Sequence, residues 1–333
     1  MKIAFVVYDL SMGGAEKVVS MVSNELNKNN EVFLITFDSN KFYNTSAKHL
    51  NLNIPSHPNK IIKVFNVLKR VYALKEIFKN YNFDKIFAFM EGAYMPVILS
   101  GYNCYPSIRL NPQTYWGYKM SLLNKILLNK KNVSKIIVPS RLIYNEVKKY
   151  TNKEVVVIYN PIKKDFFNSI DEKDFIISIG RLDKIKRFDL LIKTYKKAQI
   201  DKKLLIIGNG MEKENLQREI TKLGLEKKVF LIGQKKDIYT YLNKAEYFVF
   251  MSESESFGNV ILESLIVGTP VLLTNVGIVN EIITEKNGSI FRDNFVTEWQ
   301  KFDKSYKKMK KREIIQSVEK FDVTSIGEKF LNV

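Results

Sequence analysis

Short apolar runs alternate with longer stretches of helical spacing along most of the 333 residues. In the first half the runs are Met1–Tyr8, Glu31–Phe37, Asp84–Met90, Pro106–Leu110, Ser134–Pro139 and Glu154–Tyr159. In the second they are Phe175–Ile179, Leu204–Ile207, Val229–Ile232, Tyr247–Met251 and the VLLT that opens at Val271. Most are nearly continuous in Val, Ile, Leu and Phe rather than alternating. That is the signature of strands buried on both faces of a parallel sheet. Between them apolar residues recur every three or four positions. A helix to about Leu26 turns Val18, Val19, Met21, Val22 and Leu26 inward, and others cover Asn59–Lys79, Ser121–Lys131, a stretch from Arg141, and Thr324–Leu331. Regular alternation of strand and helix predicts an α/β fold of doubly wound parallel sheets. Asn160-Pro161 interrupts the series and the second half restarts on a strand, so two domains are expected. Their limits are 1–161 and 162–318, with a final helix in 319–333.

The most informative stretch is Met251–Val271. A strand ends at Met251, Ser252–Gly258 is small and polar, and Asn259–Val267 has the apolar spacing of a helix, which Gly268 closes. Such a loop aims unpaired backbone N–H groups at whatever lies at the helix start, a place suited to an anion. Glu255 stands in the loop and Glu263 on the helix. Glu263 can accept hydrogen bonds from ligand hydroxyls while the helix start holds phosphates. Arg181 and Lys186 follow the first strand of the same half; taken alone they are surface charges, and beside the Glu255–Glu263 unit two cations there can neutralise a leaving diphosphate.

The run Glu255-Ser-Phe-Gly, Glu263-Ser and Gly268-Thr-Pro-Val resembles the C-terminal signature of the retaining glycosyltransferases of family 4, which have the two-domain GT-B fold. The resemblance implies two Rossmann-like domains facing across a cleft. It places Glu255 near a donor sugar and Glu263 on the ribose of a nucleotide-sugar, a UDP-sugar being the expected donor. Backbone groups of Phe257, Gly258, Asn259 and Val260 would meet the diphosphate and the sugar. The Gly13-Gly14 pair after the first strand would face the donor phosphates and the acceptor; taken alone it is only a tight turn, because the third glycine of a dinucleotide fingerprint is missing. Glu91 ends a strand on the acceptor side, where open α/β sheets bind ligands. Many relatives carry a histidine just past the strand that reads PSIRLNP here. This chain has only His49 and His57, in an earlier polar loop, and Arg109 and Asn111 occupy the neighbourhood instead. The expected activity is transfer of a sugar, with retention of configuration, to a glycan acceptor carried on a lipid, as in bacterial surface glycan synthesis. No aspartate-x-aspartate motif is present, so neither a metal nor another cofactor is expected.

Charge adds a second theme. The net charge is +18, and residues up to Asn160 carry 22 Lys and Arg against 10 Asp and Glu. From Lys119 to Lys153 nine basic residues face only Glu146. An anionic membrane surface, nucleic acid or a polyanionic substrate each suits such a field, as does a general lysine bias. Nucleic acid is the alternative function, that of a basic, non-catalytic α/β binder, with Tyr115, Trp116 and Tyr118 near its lysines; no nucleic-acid motif supports it. The helices around Ile61–Phe78 and Ser121–Leu128 are both basic and amphipathic. Leu122, Leu123, Ile126 and Leu127 either pack on the sheet or meet a bilayer, and periodicity does not choose between the two. The N-terminal apolar run is too short for a signal peptide, and no stretch reaches the roughly 18 residues of a membrane span. The expected location is cytoplasmic, peripheral at the inner face of the plasma membrane. A single cysteine, Cys104, permits no internal disulfide.

Overall fold

The computed structural model describes residues 1–163 and 175–333. It divides into two units, Met1–Lys163 with Phe321–Val333, and Lys164–Lys320.

Unit 1 begins β1 (Lys2–Val7), α1 (Gly14–Leu26), β2 (Glu31–Thr36), β3 (Lys48–Asn51), α2 (Lys60–Tyr81) and β4 (Lys85–Phe89). It continues through α3 (Glu91–Ser100), β5 (Tyr105–Ser107), α4 (Pro112–Tyr115) and α5 (Tyr118–Leu127) to β6 (Ile136–Val138), α6 (Arg141–Val147) and β7 (Val155–Val157). The seven strands lie in the order β3-β2-β1-β4-β5-β6-β7, all parallel. The order reverses between β1 and β4, the switch point beside which open sheets of this kind bind ligands. One face of the sheet is covered by α2, α3, α5 and α6. The other carries α1 and the last helix of the chain, Val323–Leu331. Phe330 of that helix is fully buried, its ring 5.2 Å from Phe87 and 6.1 Å from Phe5. Lys85 Nζ donates to the carbonyl of Leu331 at 2.7 Å, and Thr324 Oγ1 donates to Glu25 at 2.9 Å.

Several local expectations change. His49 lies not in a loop but in β3, an edge strand, with its Nε2 2.9 Å from Thr36 Oγ1; KHLN has too little apolar character to announce a strand. The expected strand Pro106–Leu110 is Tyr105–Ser107 instead, with Pro106 in its middle and Arg109 beyond its end, because the chain leaves the sheet to enter α4 at Asn111-Pro112. On α1, Ser20 and Ser23 are buried where Met21 is only half-buried. The helix α2 shows the largest departure. Its buried residues are Arg70, Leu74 and Phe78, while Ile61, Val64, Phe65, Leu68 and Tyr72 stand exposed. Arg70 is therefore not part of the basic surface. It lies in the core with its guanidinium 4.7 Å from the Phe37 ring, and its Nε donates to the Ile54 carbonyl at 2.9 Å. On α5, Leu127 packs inward, but Leu122, Leu123 and Ile126 do not.

Unit 2 contains β8 (Phe175–Ile179), α7 (Phe188–Ala198), β9 (Lys203–Ile207), α8 (Lys213–Lys222), β10 (Val229–Leu231), α9 (Tyr239–Lys244) and β11 (Ala245–Phe250). Then follow α10 (Asn259–Ile266), β12 (Val271–Leu273), α11 (Val279–Ile282), β13 (Gly288–Ile290), α12 (Phe295–Ser305) and α13 (Lys311–Gln316), which makes the closing helix Val323–Leu331 of unit 1 α14. This parallel sheet runs β10-β9-β8-β11-β12-β13, with its switch point between β8 and β11. Trp299 is fully buried at the centre of its core and donates to Tyr247 Oη at 2.9 Å. Among the described residues no helix is long and apolar enough to cross a membrane.

Candidate active site

Because every strand pair in unit 2 is parallel, all its C-terminal loops emerge on one edge. The loop after β8 carries Arg181 and Lys186, and the loop after β11 carries Glu255 through Gly258. β8 and β11 are neighbours, so these two loops meet although they are far apart in sequence. Two hydrogen bonds join them. Glu253 N donates to the Ile185 carbonyl at 2.8 Å and Ser252 Oγ to the same oxygen at 3.1 Å. The 3-10 turn Lys184–Lys186 thereby holds Lys186 Nζ in a close ion pair with Glu255 Oε1. Both side chains are largely buried, 13% and 17% exposed, and the ammonium lies 5.7 Å from the centre of the Phe250 ring. Arg181 differs, since its side chain is 74% exposed and its Nη2 lies 3.1 Å from Asp183 Oδ2.

The loop then reaches α10. Phe257 is buried and its carbonyl accepts from Ile278 N at 3.0 Å, which ties the loop after β11 to the one after β12. Asn259 and Val260 are half-buried at the first turn of α10, where the helix dipole carries partial positive charge. From Ile261 onward the helix is buried, and this includes Glu263, only 6% exposed. A carboxylate placed so deeply in an apolar helix has a role beyond solubility. Close backbone approach supports the Arg181 turn. A Cβ on Gly208 would lie 1.9 Å from the Gly180 carbonyl oxygen, so only glycine fits there. A surface cavity of about 670 Å³, lined by Tyr195, Lys196, Gln199 and Lys228 among others, lies at the opposite, N-terminal end of the strands, away from these groups.

In unit 1, Gly13, Gly14, Glu91, Arg109 and Asn111 also follow the C-terminal ends of strands. Gly13 caps α1, and the Glu16 carboxylate folds over it. Burial pushes the Glu16 carboxyl above its ordinary value; a backbone hydrogen bond offsets part of that rise, and the nearby Asp9 charge adds a smaller one. Glu91 accepts a 2.7 Å hydrogen bond from Trp116 Nε1. Trp116 is thus buried, not part of a stacking platform with Tyr115 and Tyr118. Asn111 caps α4 by accepting from Gln113 N. Arg109 is 6% exposed; its Nε donates to Ser107 Oγ at 2.7 Å and its Nη1 to Asn160 Oδ1 at 2.6 Å. Its Nη2 has no partner among the described residues, and burial pushes its pKa down to about 9. Glu16 and Asn160 carried no sequence signal of their own. Asn160 stands in the sequence only as part of the expected domain boundary, and the pairing of β6 with β7 brings it to Arg109.

Comparison with known proteins gives the same direction. The family model described as "Glycosyltransferase Family 4" matches residues 12–166, and "Glycosyl transferases group 1" matches residues 160–320. A Campylobacter jejuni protein, N-acetylgalactosamine-N,N'-diacetylbacillosaminyl-diphospho-undecaprenol 4-alpha-N-acetylgalactosaminyltransferase, is 30% identical over 295 residues, covering 82% of this chain and 80% of that one. A second from the same organism, an alpha-1,4-N-acetyl-D-galactosaminyltransferase acting on a diNAcBac-PP-undecaprenol glycan, is 25% identical over 67% of this chain and 66% of its own length. Among solved structures, sucrose-phosphate synthase from Thermosynechococcus elongatus superposes with a TM-score of 0.84 at 17% identity, covering 99% of this chain and 97% of that one. HepE from Anabaena, solved with UDP and glucose, gives 0.84 at 18%, over 100% and 98%. These are GT-B glycosyltransferases, and the likeness to them is one of fold. With family models spanning both halves and a relative at 30% identity across most of its length, the chain belongs to the family 4 glycosyltransferases.

Proposed function

We propose that the protein transfers a sugar from a UDP-sugar held by unit 2 to a lipid-linked glycan held by unit 1, with retention of configuration and without a metal, in the synthesis of a bacterial surface glycan. The observation that carries this reading is the assembly at the switch point of unit 2: Lys186 paired with Glu255, the α10 start beside them, and Glu263 buried one turn further on. A nucleoside diphosphate matches it group by group. Glu263 accepts from the ribose hydroxyls, the N–H groups of Gly258, Asn259 and Val260 meet the diphosphate, and Glu255 lies by the sugar. As the bond from the anomeric carbon to the diphosphate breaks, its electron pair leaves with the phosphate oxygen. Lys186 is already desolvated and stabilises that charge; Arg181 exchanges Asp183 for it. The lipid-linked acceptors in the names of the Campylobacter relatives support the acceptor class, and the UDP bound in HepE supports the donor. Such an acceptor is met at the inner face of the plasma membrane.

Calorimetric titration with UDP and transfer assays with UDP-sugars test the reading. Glu263→Gln should weaken UDP binding about tenfold, the scale of a hydrogen bond to a charged group. Arg181→Ala should lower turnover more than affinity, by roughly 10²-fold, because its charge matters most as the leaving group forms. Unchanged UDP affinity in both Glu263→Gln and Lys186→Ala would remove the donor site from unit 2.

A further inference from the structure

The apolar surface of this protein is concentrated in one place. Of the 17 large apolar side chains exposed among the described residues, all but Met211 belong to unit 1, and 11 lie on α2 and α5. On α2 the positions 61, 64, 65, 68 and 72 form one stripe at helical spacing. The core stripe, positions 70, 74 and 78, lies on nearly the opposite side of the same helix. The helix therefore has two apolar faces and buries one. The shorter α5 repeats the arrangement, with Asn124 and Leu127 inward and Tyr118, Leu122, Leu123 and Ile126 outward. Both helices cover the same face of the unit 1 sheet and both pack against α3. Leu74 and Phe78 of α2 join the α3 residues in one core, and Tyr94 of α3 donates to Asn124 of α5 at 2.9 Å.

Exposed lysines surround these stripes. On α2, Lys60, Lys63, Lys69, Lys75 and Lys79 are opposed only by Glu76. From Tyr118 to Lys131, Lys119, Lys125, Lys130 and Lys131 meet no acidic residue. Lys69 Nζ lies 4.8 Å from the centre of the Phe65 ring, so the cation and the apolar group share one surface. A protein partner with an apolar face would not need this charge, and nucleic acid would not need the aliphatic stripe. A surface that offers phosphate negative charge directly above hydrocarbon satisfies both.

We propose that the outer faces of α2 and α5 form a docking surface for an anionic bilayer, with Phe65, Leu68, Tyr72, Tyr118, Leu122 and Ile126 entering the boundary between headgroups and acyl chains. This rests on the reading of the acceptor as lipid-linked, and names the surface that brings the enzyme to it. The lysines extend outward to the lipid phosphates, their stems covering the apolar edge. Attachment is reversible, since it depends on a shallow apolar stripe and on charge that salt screens.

Sedimentation of the full chain with phosphatidylcholine vesicles, with or without phosphatidylglycerol, tests this without donor or acceptor. Binding is expected only with phosphatidylglycerol and should weaken at high salt. Replacing Lys119, Lys125, Lys130 and Lys131 with Gln should lower the partition coefficient more than tenfold, each lysine near the surface being worth about fivefold. Phe65→Ser with Leu68→Ser, both exposed, should release the protein with no change in melting temperature. The same number of charges removed from unit 2, at Lys196, Lys197, Lys222 and Lys227, should have a much smaller effect. Equal partition onto both vesicle types, none onto either, or equal losses from the two lysine sets would overturn the proposal. So would a Leu68→Ser variant whose only change is the loss of self-association, which would identify a second copy as the occupant. Sugar transfer without vesicle binding would refute the docking surface alone. Vesicle binding without UDP binding or sugar transfer would refute the functional reading and leave the docking surface standing.

Discussion

Gly277→Ala tests whether the loop after β12 sets the geometry of the donor site. Gly277 has φ +58°, and a Cβ there would lie 2.4 Å from the carbonyl oxygen of Phe257, 2.8 Å from its carbon and 3.1 Å from Glu255 Cβ. Carbon–oxygen contacts ordinarily stay beyond about 3.3 Å, so the Phe257 carbonyl must retreat by roughly 1 Å. That same carbonyl accepts from Ile278 N, which resists the movement. Two contributions add. A left-handed backbone costs a non-glycine residue about 1–2 kcal/mol, and overpacking costs a further 1–3 kcal/mol. Gly224 separates them: its φ is +64°, but nothing lies within 4 Å of an added Cβ. Gly224→Ala should therefore lose only the first contribution, and Gly277→Ala about 2–5 kcal/mol in total. Thermal melts followed by circular dichroism measure the difference, at roughly 2–4 °C per kcal/mol for a domain of this size. The functional contrast should be larger. A misplacement of about 1 Å at Glu255 and the α10 start is worth about 10²-fold in rate, whereas Gly224→Ala should turn over as the parent does. If Gly277→Ala melts with Gly224→Ala and keeps full turnover, the loop does not set the geometry of the site.

Three further outcomes are expected. Transfer activity should survive excess chelator, measured as initial rate; a loss restored by magnesium or manganese would contradict the role given to Arg181 and Lys186. Glu16→Gln should raise the melting temperature at neutral pH, because the folded protein holds the Glu16 proton more tightly than the unfolded chain does. Stability of the parent consequently falls as pH rises from 4.5, the ordinary value, through the raised one, and the two proteins should melt alike below 4.5; a constant difference at every pH would refute this. Phe330→Ala empties a fully buried position among Phe5, Phe87 and Phe89 and should destabilise unit 1 by about 3–5 kcal/mol in denaturant unfolding.

Much of this protein is determined within short windows of its sequence. A strand buried on both faces has to be apolar along its whole length, so β1, β2, β8 and β11 are visible as runs. The change from loop to helix at Gly258 needs only its neighbours, and so do the closure at Gly268 and the candidate roles of Glu255 and Glu263. What no window contains is the order of the strands. Lys186 and Glu255 pair because β11 returns beside β8 and not beside β10, and Arg109 meets Asn160 because β7 follows β6 on the same side of β5. A helical stripe likewise records that a face is apolar, and says nothing of which neighbour covers it. For that reason Arg70, one of the basic residues of an amphipathic helix, is buried, while the apolar stripe of α2 from Ile61 to Tyr72 faces outward. The face of a helix that lies against the sheet is set by where its flanking strands join, which is a property of the tertiary fold. Only after that placement does the unused apolar face, ringed with lysines, emerge as a surface.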